Sequence, residues 1–168
     1  KTKYQTVQAV QDVSCDLSAG TLYALVGKSG SGKTTLLSLL AGLDTPQSGD
    51  IMVNGQSLRE IDVDIYRRKQ ASVIYQSYNL FPLMTVCENV MYPLKLLRHS
   101  DADAKKEAQI ALEKVGLGES YWKRLPAMLS GGEQQRVAIA RTLAVHAQII
   151  LADEPTGNLD TENSTQII

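Results

Sequence analysis

The sequence predicts an α/β fold with an inserted helical subdomain, and two observations lead to this prediction. Short apolar runs typical of strands alternate with segments in which apolar residues recur at helical spacing, which is the pattern of strands and helices packed around one sheet. The interval 77–129 breaks this alternation because it contains helical patterns alone. We therefore expect a single domain over 1–168, with a core formed by 1–76 and 130–168.

The start of the chain predicts two strands. Apolar residues alternate over 7–17, with Cys15 on the apolar face, and a turn leads to a second strand over 21–26. Cys15 is therefore expected to be buried, as is Cys87. The two cysteines lie far apart and show no spacing typical of a disulfide framework or a zinc site.

The next elements alternate between helix and strand. A run of leucines predicts a helix over 33–41, ended by Gly42 in the left-handed conformation. A short strand over 50–53 runs into an Asn-Gly turn, and a charged helix over 62–69 precedes a strand over 72–75.

Two capping boxes mark the helices of the inserted subdomain. Thr85 with Glu88, and Ser100 with Asp103, supply side chains that can satisfy the unpaired amides at a helix start. Pro93 removes one hydrogen bond from the first of these helices and is expected to kink it. The second helix is expected to pack through an apolar stripe, made up of Ala104, Ala108, Ala111, Leu112 and Val115.

A glycine-rich segment after the second predicted strand matches the pattern GxxxxGK[ST]. We assign to a nucleotide site Gly27, Lys28, Ser29, Gly30, Ser31, Gly32, Lys33, Thr34 and Thr35. Glycines allow successive amides and the positive end of the following helix to face a phosphate chain. Lys33 can then reach the β- and γ-phosphate oxygens, and the Thr34 hydroxyl can ligate Mg²⁺. A plain glycine-rich turn with a surface lysine is the alternative.

Two acidic residues follow the last predicted strand. A helix over 131–145 leads to the apolar run 149–152, which is typical of a parallel strand buried on both faces. Ligands bind at the carboxyl ends of such strands, so Asp153 and Glu154 are expected to face the phosphate loop. We assign Asp153 to the Mg²⁺ shell, and Glu154 to the attacking water as general base or orienting group. A solvated acidic turn before Pro155 is the alternative.

Ser130, Gly131 and Gly132 form a second candidate phosphate site at the start of the helix over 131–145. Ser130 with Glu133 is a capping box, yet each glycine in a first turn costs up to about 1 kcal/mol, which roughly cancels the ~1 kcal/mol of the cap. Close approach of a ligand to the backbone explains the glycines better. Because one nucleotide already has its phosphate loop, the two segments indicate two half-sites.

Charge and hydropathy disfavour several other functions. Seventeen Lys and Arg stand against eighteen Asp and Glu, a net charge of −1, so nothing predicts a nucleic-acid partner. No apolar run approaches the roughly 20 residues of a membrane span. The chain lacks an initiator methionine and stops inside a predicted helix, so we expect it to be incomplete at both ends.

The motifs and their order resemble the nucleotide-binding domains of ATP-binding cassette (ABC) transporters. The resemblance covers essentially the whole chain and rests on Walker A (27–34), the Q-loop at Gln76, an LSGGQ-type signature (129–135), Walker B (149–153) and the D-loop (158–160). It implies a P-loop NTPase core with a mixed sheet and an inserted α-helical subdomain. ATP and Mg²⁺ are the implied cofactors.

The resemblance also implies how the site is completed. Residues 130–132 of one domain would contact the γ-phosphate held by Walker A of a second ABC ATPase domain, identical or paralogous, in a head-to-tail dimer. Gln76 would act in catalysis by contacting Mg²⁺ and water, and it would join the helical subdomain to the core. Tyr4 would stack on adenine, although a plain strand tyrosine is the alternative. Asp160 of the D-loop would complete the nucleotide site.

The implied function is ATP hydrolysis that closes the dimer and moves a substrate through transmembrane permease subunits. The domain would then lie at the cytoplasmic face of the cell membrane, as a peripheral subunit. The stretches 41–44, 136–141 and 155–160 look most like bacterial exporters of the macrolide-export and lipoprotein-release type, so export is the expected direction.

Other ABC proteins are the alternatives. A DNA-repair ATPase would carry a long coiled coil between Walker A and the signature, where this chain has short helices. A translation factor would carry two cassettes in one chain, and a catalytically silent cassette would be expected to lack Glu154. The family's switch histidine follows the D-loop and is not reached by this sequence. His99 and His146 are expected to be surface or packing residues instead.

Overall fold

The computed structural model describes residues 9–155 of the chain. Tyr4 and Asp160 lie outside the described residues, so their place in the nucleotide site stays a prediction. From residue 33 onward, the predicted helices and strands occur in the expected order. A short second strand, a one-turn α-helix and a 3-10 turn over Pro126–Met128 occur in addition.

The beginning of the described chain differs from the prediction. Residues 9–26 form no strand, and their apolar side chains stay exposed, with 89% of Leu22 and 93% of Val26 accessible to solvent. A period-two pattern shows which face a strand would bury, but the strand itself forms only beside a neighbour, and no described strand pairs with this segment. For the same reason the predicted burial of Cys15 is wrong, whereas Cys87 is buried as expected.

Helix α1 spans Lys33–Leu40 and ends as predicted. Gly42 has a φ of 65°, and its N–H donates to the Leu39 carbonyl at 3.0 Å, which is the usual glycine-dependent helix end. The start of α1 is less usual, because Gly32 at the N-cap has a φ of 90° and no side chain caps the helix. The first amides of α1 therefore have no side-chain acceptor.

A hairpin and a helix follow α1. Strands β1 (Met52–Val53) and β2 (Gln56–Ser57) pair antiparallel through Asn54 and Gly55, whose φ values are 51° and 80°. This is the turn that the Asn-Gly pair predicts. Helix α2 spans Val63–Lys69, as expected.

Four further helices make up the middle of the chain, namely α3 (Val86–Leu96), α4 (Asp101–Lys114), α5 (Glu119–Trp122) and α6 (Gly131–Ala144). The capping box of Thr85 and Glu88 is confirmed at α3, which continues through Pro93. At α4, Ser100 accepts a hydrogen bond from the Asp103 N–H at 3.1 Å. None of the described helices has the length and apolarity needed to cross a membrane.

The larger buried cluster lies between α3, α4 and α6. Leu94, Leu112 and Val137 are almost completely inaccessible to solvent, and the predicted stripe of α4 faces this cluster. Burying a leucine or valine side chain stabilises a fold by about 1.5–3 kcal/mol. Helix α6 is therefore packed against α3 and α4 through this cluster.

Strands β3 (Ala71–Ile74) and β4 (Ile149–Ala152) are parallel and in register along their whole length. The prediction that β4 is buried on both faces is wrong, because Ile150 is 48% exposed and only Leu151 is buried. Among the described residues this sheet contains only β3 and β4. The other edge of β4 therefore has no neighbouring strand there to cover it.

Candidate active site

The carboxyl ends of β3 and β4 bring the predicted catalytic groups together. Because the strands are parallel and in register, their next residues leave the sheet at the same edge. The Asp153 N–H extends this pairing by donating to the Ile74 carbonyl at 2.9 Å. Gln76 and Glu154 follow immediately, and the Gln76 Nε2 donates to the Glu154 Oε2 at 3.1 Å. We name Gln76, Asp153 and Glu154 the carboxyl edge.

The phosphate loop meets this edge through Thr34. The Thr34 Oγ1 donates to the Asp153 Oδ1 at 3.3 Å, a contact between residues 119 positions apart in the chain. Hydroxyl and carboxylate oxygens are among the ligands that Mg²⁺ prefers, so Thr34 and Asp153 would be able to hold the ion. The residues present therefore fit the predicted magnesium site.

The Lys33 side chain folds back into its own loop. Its Nζ donates to the carbonyl oxygens of Gly27 at 2.9 Å and Lys28 at 3.0 Å. The Ser31 N–H also donates to the Lys28 carbonyl, at 3.2 Å. The ammonium thus lies inside the loop, where an incoming phosphate could take over the hydrogen bonds now made to carbonyl oxygens.

Two glycines of the loop have backbone conformations that favour glycine. Gly30 has a φ of 76° and Gly32 a φ of 90°, values that L-residues with a side chain adopt only with strain. At Gly27 the requirement is space, because an added Cβ would lie 2.6 Å from the Ser31 Oγ. Ser29 lies in the same loop and Thr35 in the first turn of α1.

The second glycine segment, 130–132, starts α6 with a complete capping box. The Ser130 N–H donates to the Glu133 Oε2 at 2.7 Å, and the Glu133 N–H donates to the Ser130 Oγ at 3.2 Å. The first of these bonds is the main cause that lowers the pKa of the Glu133 carboxyl. A hydrogen bond from the Ser130 side chain lowers the same pKa further, so the Glu133 carboxylate engages both the amide and the hydroxyl of Ser130.

The two glycine segments, 27–34 and 130–132, are separate from each other in the described part of the chain. In the described part of the chain, no hydrogen bond links 130–132 to the loop 27–34. Each segment keeps its own local hydrogen bonds instead.

Three polar residues outside the predicted site have structural importance that the sequence did not reveal. Arg141 on α6 donates to the carbonyls of Tyr78 and Asn79 at 2.8 and 2.7 Å. Asn89 is fully buried and holds the loop before α3. Gln135 is 1% exposed, and its amide has no partner in the region that the structure describes. A polar residue on the apolar face of a predicted helix was the available signal for each of them.

The two histidines lie away from the carboxyl edge. Both side chains are exposed, and the Nε2 of His146 lies 3.4 Å from the Glu107 Oε2 on α4. Their predicted place at the surface is confirmed, and neither contacts the phosphate loop.

These features define a class of protein. A phosphate loop before a helix, facing acidic residues at the carboxyl end of a parallel strand, is the arrangement of P-loop nucleotide-binding proteins. Within that class the chain belongs to the ABC transporter family, whose sequence pattern matches residues 10–157. The family and the fold expected from the motifs are thereby confirmed.

The chain is similar to ATP-binding proteins of several bacterial transporters. It is 42% identical over 164 residues to the uncharacterized ABC transporter ATP-binding protein Rv0986 of Mycobacterium tuberculosis, a match of 96% of this chain and 66% of that protein. It is 44% identical over 166 residues to LolD, the ATP-binding protein of a lipoprotein-releasing system in Saccharophagus degradans, covering 97% of this chain and 72% of LolD. The chain thus spans about two thirds of the length of the first of these relatives.

A solved structure shares the fold. The dimeric bacterial ABC transporter cassette MJ0796 superposes with a TM-score of 0.90 at 35% identity, covering 99% of this chain and 74% of that chain. A second dimeric structure of MJ0796 contains ADP and inorganic phosphate after hydrolysis.

Proposed function

We propose that this chain is the ATP-binding and ATP-hydrolysing part of an ABC transporter. The observation that carries the proposal is the pair of contacts at the carboxyl edge, where Thr34 meets Asp153 and Gln76 meets Glu154. Groups suited to Mg²⁺ and groups suited to an attacking water thus lie beside one phosphate loop. The roles of Rv0986 and LolD as ATP-binding proteins, and the ADP- and phosphate-bound MJ0796 dimer, support the same reaction.

The phosphate loop would bind the triphosphate of ATP. Lys33 would exchange the carbonyls of Gly27 and Lys28 for β- and γ-phosphate oxygens, since an ammonium forms a stronger hydrogen bond to an anion than to a neutral oxygen. Thr34 and Asp153 would hold Mg²⁺, which supplies charge neutralisation at the transferred phosphoryl group. The uncapped start of α1 would add its amides to the same phosphates.

Glu154 and Gln76 would position the attacking water. Because one carboxylate oxygen of Glu154 accepts from Gln76, the other oxygen can accept from a water molecule. Glu154 also has a φ of 45°, a left-handed conformation that strains a residue with a side chain and is found at sites where a group must be aimed. Phosphoryl transfer depends mostly on such positioning, so we assign Glu154 as the general base or orienting group.

A second ABC ATPase domain would complete the site. The amides of Gly131 and Gly132 would contact the γ-phosphate bound to the partner domain, in a head-to-tail arrangement, and Ser130 would join them by exchanging its bond to Glu133 for one to the phosphate. The absence of any hydrogen bond between 130–132 and 27–34 in the described chain agrees with two half-sites. The dimeric state of MJ0796 supports this assembly.

Permease subunits at the inner face of the membrane would respond to the closure of the two ATPase domains. A surface pocket of about 220 Å³ lies beside the segment that follows Gln76, between Leu83, Met84, Glu88, Met91, Tyr92 and Lys95. Leu83 is 91% exposed. The lining also carries Glu88, which is bonded to Thr85, and Lys95, which is paired with Asp101. We propose that an amphipathic cytoplasmic segment of the permease docks there, and that the direction of transport is export.

Sedimentation of Glu154→Gln with and without Mg-ATP tests the proposed function. This change keeps the binding groups but removes the carboxylate, so ATP should bind while turnover falls by about a hundredfold or more. We expect a dimer with Mg-ATP and a monomer without it. Lys33→Ala is the matched control that should stay monomeric in both conditions. A Glu154→Gln protein that binds ATP yet stays monomeric, even with its permease present, would contradict the shared site.

A further inference from the structure

The segment between Gln76 and α3 has an unusual backbone and is held by side chains from outside it. Tyr78 and Asn79 have φ values of 25° and 47°, in the region that residues with a side chain adopt only with strain. Such a conformation persists only where neighbouring groups hold it in place. Only Ser77 separates Gln76 from this strained turn, so the turn constrains the backbone on the C-terminal side of Gln76.

Arg141 supplies the contact that holds the turn. Its Nη2 donates to the Tyr78 carbonyl at 2.8 Å and its Nη1 to the Asn79 carbonyl at 2.7 Å. Two neighbouring carbonyls thus accept the two arms of one planar guanidinium, a geometry that a lysine cannot reproduce. Burial lowers the pKa of Arg141, as expected for a guanidinium largely removed from water.

The other end of the segment is held separately. The Asn89 Oδ1 accepts from the Phe81 N–H at 2.7 Å, and its Nδ2 donates to the carbonyls of Phe81, Met84 and Thr85 at 3.1, 3.0 and 3.0 Å. Residues 81–85 are therefore fixed to α3. The part of the segment next to Gln76 depends on Arg141, and hence on α6.

We propose that Arg141 is a positioning residue that ties the helix carrying the second half-site to the water-positioning pair Gln76 and Glu154. Arg141 and Ser130 belong to the same helix, separated by about 16 Å along its axis. A shift of α6 when 130–132 meet a nucleotide would move the carbonyls of Tyr78 and Asn79, and with them Gln76. The inference rests on the proposed function, because it assigns α6 a ligand at its start.

Kinetics of Arg141→Met in the intact protein, with Arg141→Lys beside it, test this role. We expect kcat to fall about tenfold or more, while KM and the affinity for ATP stay within about twofold, because Lys33, Thr34 and Asp153 are untouched. Arg141→Lys keeps the charge but loses the fork and should recover only part of the loss. Arg59→Met is the matched control, since Arg59 also donates to two backbone carbonyls, of Pro46 and Gly49, in another loop.

A double-mutant cycle separates positioning from general stability. If Arg141 acts through Gln76, Arg141→Met should add less than about twofold to the loss in kcat caused by Gln76→Ala. If Arg141 has only a general structural role, the loss in kcat of the double variant should be the product of the losses in the two single variants. Equal losses of kcat in Arg141→Met and Arg59→Met, or a parallel loss of ATP affinity in Arg141→Met, would overturn the proposal.

Hydrogen exchange tests the tie without relying on hydrolysis. Amides of 76–80 should exchange at least about tenfold faster in Arg141→Met than in the wild type, whereas Arg59→Met should leave them unchanged. If the exchange rates of 76–80 are unchanged in Arg141→Met, the proposed positioning by Arg141 is wrong, even if the wild type proves inactive. A wild type without ATPase activity, but with the expected exchange pattern, would instead count against the proposed function alone.

Discussion

The two glycine segments use the same chemistry in different surroundings. Both place backbone amides at the start of a helix, where an anion is stabilised. Helix α1 begins at Gly32 with no side-chain cap and no acidic residue in its first turn, whereas α6 begins with the reciprocal bonds of Ser130 and Glu133. The first helix start is therefore open to an anion, while the second already carries its own carboxylate.

This difference predicts an order of events. The phosphates of ATP should bind first at the loop before α1, because its amides and Lys33 lack a competing carboxylate. Residues 130–132 retain fewer groups that can bind, chiefly the amides of Gly131 and Gly132, because Glu133 already accepts from Ser130. We therefore expect the start of α6 to recognise a phosphate only when another domain presents it.

Replacing Lys33 with alanine should have the largest effect of these variants, a loss of ATP affinity at the phosphate loop 27–34. The change removes a charge-assisted hydrogen bond worth about 1.5–3 kcal/mol, so ATP affinity should fall about tenfold to hundredfold. Titration with a fluorescent ATP analogue measures this effect. Lys69→Ala, which removes an exposed lysine at the end of α2, is the charge-matched control. Equal affinities in the two variants would argue against the phosphate loop assignment.

Gly32→Ala and Gly131→Ala should change the stability of the protein in opposite directions, which distinguishes the two glycine segments. Gly32 has a φ of 90°, and an added Cβ would lie 2.0 Å from the Ala9 carbonyl oxygen, so the alanine variant should lose at least about 1–2 kcal/mol of stability. Gly131 lies in the first turn of α6, where alanine should gain up to about 1 kcal/mol. Thermal unfolding of both variants measures the contrast.

Dimerisation completes that comparison. Gly131→Ala should form less dimer with Mg-ATP than a matched parent carrying Glu154→Gln alone, although its monomer is at least as stable. This outcome would show that the glycine serves close approach of a ligand. A Gly131→Ala variant that dimerises normally would mean that the glycines of α6 have no part in the second half-site.

Most groups of the candidate site belong to short sequence patterns. Such patterns can be recognised from the sequence because they depend only on residues that are close together in the chain. The loop before α1, the capping box of Ser130 and the acids after β4 each need only a short segment to be read. The strands expected before residue 27 could not be predicted in the same way, because pairing requires a second strand. The place of Arg141 on the apolar face of a predicted helix was a signal, but its partners, the carbonyls of Tyr78 and Asn79, carry no side-chain signal, so the contact itself could not be predicted.

Ser130→Ala should have a smaller effect on stability than Gly32→Ala. It removes the side-chain acceptor for the Glu133 N–H, a cap worth about 1 kcal/mol, which corresponds to a fall in Tm of about 2–4 °C for a domain of this size. Thr85→Ala at α3 is the matched control, because it removes the same kind of cap far from the phosphate loop. ATP-driven dimerisation should weaken in Ser130→Ala and stay normal in Thr85→Ala.

The smallest predicted effect is the pH dependence of the cap on α6. The hydrogen bond from the Ser130 N–H lowers the pKa of Glu133 in the folded protein, and burial opposes this only in part. A carboxyl with a depressed folded pKa contributes stability that is complete above its unfolded pKa and is lost as the pH falls through the folded value. Glu133→Gln keeps the capping geometry without the charge, so its Tm should fall less steeply than that of the wild type as the pH drops below the ordinary carboxyl pKa of about 4.3. Glu88→Gln should behave alike at α3, since the Thr85 N–H lowers the pKa of Glu88 in the same way. Parallel Tm curves for the wild type and both variants would show that neither carboxylate contributes to its helix start.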